Sequence, residues 1–231
     1  MIKPTITYGS NYPKPFPPAW VSAWGDDDFG LWVEFSVGEG EQAIVQRMRW
    51  IAPGQFLMGS PATEEGRFED EGPQHQVTIS QGFWLADTAC TQALWQAVMG
   101  NNPSRFHDKN LGSAEHPAER VSWNDVQEFM QKLAAQLPAC QASLPTEAEW
   151  EYACRAGSST PFACGATIST DVVNYRGDAY GVGEEGKFRE HTVAVKELPA
   201  NRWGLYQMHG NVWEWCADEM RAYSEDAVID P

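Results

Sequence analysis

Nothing in this sequence approaches the roughly 20 consecutive apolar residues that a bilayer-crossing helix needs. Its start, MIKPTITYGSNYPKPFPPAW, lacks the basic-then-apolar order of a secretory leader, so a soluble, cytoplasmic protein is expected. The five cysteines, Cys90, Cys140, Cys154, Cys164 and Cys216, contain no C-x-x-C pair and are odd in number. That spacing indicates neither a zinc knuckle nor a fully paired disulfide framework, and reduced core thiols are expected. Basic residues are scarce, 16 Lys and Arg against 32 Asp and Glu, and the net charge of −16 repels phosphate backbones and anionic lipid. Nucleic acid and membrane are therefore poor partners; metal cations or basic partners are favoured, although the charge equally serves solubility. There is no P-loop, no G-x-G-x-x-G turn, no H-E-x-x-H helix, no G-x-S-x-G elbow and no internal repeat.

What is abundant is tryptophan, 11 in 231 residues, which points to a fold built on aromatic anchors and irregular loops. An apolar share of 42% suits one large globular domain. Residues 1–20 hold five prolines and read as an extended arm, with the domain proper at 21–231. Trp24 to Asp28 reads as an acidic solvated turn, followed by a strand with Leu31, Val33 and Phe35 on one face. Val45–Trp50 and Gln55–Met58 read as a hairpin or two strands at a tight turn, and Val77–Ile79 with Phe83–Leu85 as another strand pair around Gly82. Three helices have legible ends. Thr91, Ser122 and Thr146 cap them, Asp125 and Glu149 complete two capping boxes, and Gly100, Pro138 and Gly157 stop them. From Ser158 to Leu198 no period survives, and a stretch that long inside one domain is usually functional or ordered by something bound.

Near the end stands GLYQMHGNVWEW, residues 204–215. Glu214 lies between Trp213 and Trp215, and a carboxylate placed among rings that favour burial must be satisfied. Backbone N–H groups, an Arg, or a hard cation held with backbone carbonyls would each do so. Trp95, Phe129, Trp150, Trp213 and Trp215 are expected to be largely buried, and Glu214 at least half buried.

Five segments in order carry a resemblance: Pro53–Ser60, Glu71–Val77, Pro117 through Val126, LPTEAEWEYA at 144–153, and GLYQMHGNVWEW. Together they resemble the formylglycine-generating enzymes and their sulfatase-modifying-factor relatives, over about Met48 to Asp218. The resemblance implies an α+β variant of the C-type lectin fold, with short strands, about three helices and long irregular loops. Active relatives use copper(I) on two cysteines, a chemistry that suits soft thiolates. In the family that pair follows an acidic loop and a G-G-S-W/Y strand beyond GNVWEW, a position this sequence does not reach, so copper is not expected here. Cys216 finds no partner.

The resemblance also implies calcium. Gln207, Gly210, Val212 and Glu214 match one ligand set; Asn174, Tyr175, Glu185 and the Lys187 carbonyl match a second. Gln207 stands where relatives carry Asp or Asn, which removes a charge from the first set. Two functions follow: a non-catalytic ligand- or protein-binding domain, completed by another segment or chain where the last strands are missing, or a copper-dependent formylglycine-generating oxidase whose cysteine pair lies beyond this chain. A sulfoxide synthase of ergothioneine type is set aside, because His75, His107, His116, His191 and His209 form no iron-binding set.

Overall fold

The computed structural model describes residues 12–231, so most of the expected N-terminal arm, residues 1–11, lies outside the described residues. Seven strands and three α-helices follow in order: β1 (Ala23–Asp27), β2 (Gly30–Val37), β3 (Ile44–Ile51), β4 (Gly54–Met58), β5 (His75–Ile79), β6 (Phe83–Ala86), α1 (Gln92–Met99), α2 (Trp123–Gln136), α3 (Glu147–Arg155) and β7 (Val228–Ile229). The fold is α+β. No helix among the described residues is long and apolar enough to cross a membrane.

The strands form two sheets, β1-β2-β3-β6 and β4-β5-β7. Alternation decides the burial of β2: Leu31, Val33, Phe35 and Val37 turn inward while the residues between them do not. Of the two expectations for the first pair the tight turn holds and the hairpin does not, and the expected pairing of β5 with β6 is corrected. β3 and β4 are consecutive but belong to different sheets, and so do β5 and β6; β4 pairs with β5, and β6 crosses back to pair with β3. Gly82 permits that crossing, since a Cβ there would stand 2.3 Å from the Trp50 ring and 2.7 Å from the Ile51 carbonyl. The acidic turn is also more than solvated, because Asp27 pairs with Arg49 at 2.6 Å.

Helix ends follow their side-chain chemistry. The Thr91, Ser122 and Thr146 side chains accept from the N–H of Leu94, Asp125 and Glu149, and the last two are full capping boxes. Gly100 closes α1 in the left-handed region, whereas α3 is closed one residue earlier than Gly157, by Ala156 at φ 46°.

Two cores result. In one, Phe35 and Val37 of β2 meet Leu94, Trp95 and Val98 of α1 and Val126, Phe129 and Leu133 of α2; the Trp95 and Phe129 rings stack at 5.1 Å. In the other, Ile51, Met58, Val77 and Ile79 meet Ala148, Tyr152 and Ala153 of α3, with Leu205 and Met208. Residues 156–227 form no helix or strand. They are held by side chains instead: Asn201 bonds the carbonyls of Ala153 and Cys154 and the N–H groups of Trp203 and Leu205, and Lys196 reaches buried Asp87 at 2.6 Å. β7 then lies parallel on β5, with Val228 opposite Val77.

Candidate functional site, an apolar cleft with one carboxylate

The two cores meet at a cleft of about 570 Å³. Its floor is β6 with Met48 and Phe35, one wall is α1 and α2, and the other is formed by residues 139–145, Trp150 and the segment from Met208 to Trp215. β6 contributes all four of its residues and, among the described residues, is an edge strand bonded to β3 on one side. Long apolar side chains of α1 and α2 reach the cleft because their stripes already face the sheet, so the sequence pattern that builds the core also builds this wall.

Among the described residues Glu214 is the one charged residue lining the cleft. Its Oε2 accepts the indole N–H of Trp150 at 2.9 Å, and burial pushes its carboxyl above the usual carboxylate range despite that bond. Among the described residues no Lys or Arg offsets the burial. Among the described residues this indole is its hydrogen-bond donor, so the expected backbone N–H partners are replaced by a side chain. The tryptophan expectation divides. Trp95 and Phe129 are buried and Trp150 partly so, but Trp213 is 101% and Trp215 48% exposed. Exposure alternates along this stretch, so that Trp213 and Trp215 turn outward on either side of Glu214 and form the rim of the cleft. Trp215 is nevertheless tied down, its Nε1 donating to the Val121 carbonyl at 3.1 Å.

The cleft's thiols are quiet. Burial pushes Cys90 up to about 12 and raises Cys140, so both are protonated near neutral pH. Cys216 is pushed up to about 11. All five cysteines are free, but Cys164 is exposed rather than in the core.

The residues expected to hold calcium fall in two neighbouring loops. Gln207 is buried in the left-handed region, its carbonyl accepting the Gly210 N–H at 3.2 Å, and both side-chain amide atoms lack a partner among the described residues. Gly210 lies so close to Asn174 that a Cβ would stand 2.4 Å from its carbonyl oxygen. The Asn211 N–H donates to that same carbonyl at 2.8 Å, and the Gly210 carbonyl accepts from Val212 at 2.9 Å. Glu185 is exposed, and the flanking Gly186 N–H donates to the Gly177 carbonyl, which brings residues 185–187 alongside 174–177. Tyr175 turns its hydroxyl to the Ile168 carbonyl at 3.3 Å. Among the described residues no three His, Cys, Asp or Glu side chains converge as a metal site. Each expected set offers one carboxylate and neutral oxygens, donors of the hard type that calcium takes but with little charge.

Sequence reasoning missed Asn211. At φ 72° its side chain accepts the Val193 N–H at 2.9 Å and donates to the Val193 carbonyl at 3.1 Å, pairing with that backbone as a strand neighbour would. The signal was present, since Asn after Gly tolerates the left-handed region. His209 was also missed. Its Nε2 accepts the Ala163 N–H at 2.8 Å, and burial with nearby Arg155 holds it down at about 4, hence neutral.

A family model described as the sulfatase-modifying factor enzyme 1-like domain matches residues 35–229. The formylglycine-generating enzyme of Mus musculus is 34% identical over 151 residues, 62% of this chain and 36% of that protein. Serine/threonine-protein kinase pkn1 of Chlamydia caviae is 28% identical over 199 residues, 77% of this chain and 28% of that protein. The chain thus spans about a third of the length of these two relatives. Among solved structures, Treponema denticola variable protein 1 superposes with a TM-score of 0.65 at 25% identity, covering 86% of this chain and 81% of the other. The two-sheet α+β architecture and the match over residues 35–229 make this chain a member of the sulfatase-modifying factor enzyme 1-like domain family.

Proposed function

We propose that this chain is a binding domain on a formylglycine-generating-enzyme-like scaffold, and that its cleft takes up an apolar protein or peptide segment in extended conformation. One observation carries the reading: an edge strand, β6, forms the floor of an otherwise apolar cleft rimmed by two exposed tryptophans. Such an edge offers main-chain hydrogen bonds for affinity, and the walls offer apolar contact to alternate side chains. The competing reading is a copper-dependent formylglycine-generating oxidase. The resemblance places the thiolate pair that this reading needs after the GNVWEW segment, so the cleft's own thiols do not bear on it. Five free thiols and the acidic surface support the cytoplasm as its compartment.

Titrating the protein with an apolar strand-forming peptide, and with a polar peptide of the same length, tests the reading through the fluorescence of Trp213 and Trp215. A saturable blue shift with the first and none with the second is expected. Absence of saturation with both removes the proposal, as does conversion of a substrate cysteine to the aldehyde by this chain with copper(I) and oxygen.

A second reading adds calcium at the Gln207–Glu214 segment and at Asn174, Tyr175 and Glu185. It is favoured by the uncompensated burial of Glu214.

A further inference from the structure

We infer that a second cavity, independent of the binding reading, takes a small aliphatic amine, with a diamine as the best fit. It measures about 430 Å³ and lies where the start of β3 and the residues just after β6 meet the turn at 194–197. That volume falls among small-molecule pockets, and Gln46 and Thr88 are the residues it shares with the cleft. Its charges do not balance. Both cations on its wall are already engaged, Arg47 with Glu34 at 2.7 Å and Lys196 with buried Asp87 at 2.6 Å. The exposed carboxylates Glu115 and Glu197 have no ion-pair partner among the described residues. Backbone bonds hold them to the same cavity: the Val195 N–H donates to the Glu115 carbonyl at 3.0 Å, and the Glu197 N–H to the Ala194 carbonyl at 3.0 Å.

Gln46 supplies a second observation that does not depend on those carboxylates. Its side chain lines the cavity at 5% exposure and commits Nε2 to the Arg47 carbonyl at 2.8 Å and to Asp87 Oδ1 at 3.1 Å. Its Oε1 accepts from none of the described residues. A buried amide oxygen without a donor is costly, and an ammonium is a group that only donates. The Thr88 hydroxyl, also buried and 3.5 Å from Gln46 Nε2, offers such a group a further acceptor. Val45, Ala194 and Val195 give the same wall apolar surface on which a methylene stem can lie. A diamine uses all of these at once, one ammonium at Gln46 and Thr88 and the other at Glu115 and Glu197. An anionic ligand would meet two unpaired carboxylates and no unengaged cation. The net charge of −16 further concentrates small cations around the chain.

The test titrates the chain with 1,5-diaminopentane, 1-aminopentane and pentanoate, followed by calorimetry and by the NMR methyl signals of Val45, Ala194 and Val195. The diamine should saturate one site and shift those methyls, the monoamine should bind more weakly, and pentanoate should not bind. Glu115→Gln combined with Glu197→Gln should weaken the diamine about tenfold, the order of two partly exposed ion pairs. Glu69→Gln combined with Asp70→Asn makes the same change of charge at exposed positions outside the cavity and should leave the affinity as in wild type. Equal weakening in the two double variants would mean diffuse attraction to an acidic surface and overturns the site. Unchanged affinity in the Glu115 and Glu197 variant overturns the assignment to these carboxylates. Absence of saturation by the diamine, methyl shifts that bypass the cavity, or pentanoate binding as tightly as the diamine each overturns the inference. All four substitutions are at exposed positions, and the wild-type series with its methyl signals decides the matter even where a variant folds poorly.

Discussion

Glu214 faces inward because its neighbours face outward, and the cost of that arrangement is written into its titration. Its folded carboxyl is raised above the unfolded value by burial, so the folded state binds the proton more tightly. Stability from this group is therefore complete below the ordinary carboxylate range and is lost as pH rises through the folded value. Glu214→Gln should match wild type in acid and exceed it in thermal midpoint near neutral pH, with Trp150 still donating to the amide oxygen. A variant that melts lower at every pH would mean that the charge is already compensated. His209 works in the opposite direction. Held near 4 against an ordinary 6.5, it contributes stability that is present above 6.5 and lost as pH falls toward 4. The span corresponds to roughly 3 kcal/mol. His209→Gln, which keeps an acceptor for the Ala163 N–H, should flatten that acid limb in urea melts run across the interval.

At the scale of elements, the strands and helices are conventional, while the irregular residues 156–227 depend on close backbone contacts. Gly210 against Asn174 is the tightest of these beside the cleft. Gly210→Ala must push the two loops apart, breaking the Asn211 N–H bond to the Asn174 carbonyl and loosening the Asn211 grip on Val193. A loss of about 1–3 kcal/mol in denaturant unfolding is expected, in the range of a buried steric and hydrogen-bond defect. A neutral result would show that the loop pair yields without resistance. The same comparison explains why the helices were legible and the sheet pairing was not. A cap such as Thr146 with Glu149 is decided within four residues, whereas the choice of β5 rather than β3 as the partner of β4 is made by the two cores, which no local pattern records.

For the molecule as a whole, calcium is a linkage question. An ion that binds only the folded state stabilises it by about 2.7 kcal/mol at a hundredfold excess over its dissociation constant. If either loop set holds calcium, melting in calcium and in chelator should separate by that order, and Glu214→Gln should remove the part due to the Gln207–Glu214 segment. Coincident melts would retire the calcium reading.

By itself the sequence determined the family, the three helices with their caps, and the inward face of β2, because each rests on short-range chemistry: capping boxes, a period of two, specific strings such as LPTEAEWEYA. It also located Glu214 as a carboxylate in need of a partner. Only the tertiary structure decided that the partner is the Trp150 indole, 64 positions earlier in the chain, that Trp213 and Trp215 form an exposed rim, and that β6 is an edge lying under a cleft. The physical reason is the same in each case. Burial, and the direction in which an exposed ring points, are set by what the rest of the chain places opposite, and a residue's neighbours in sequence do not carry that information.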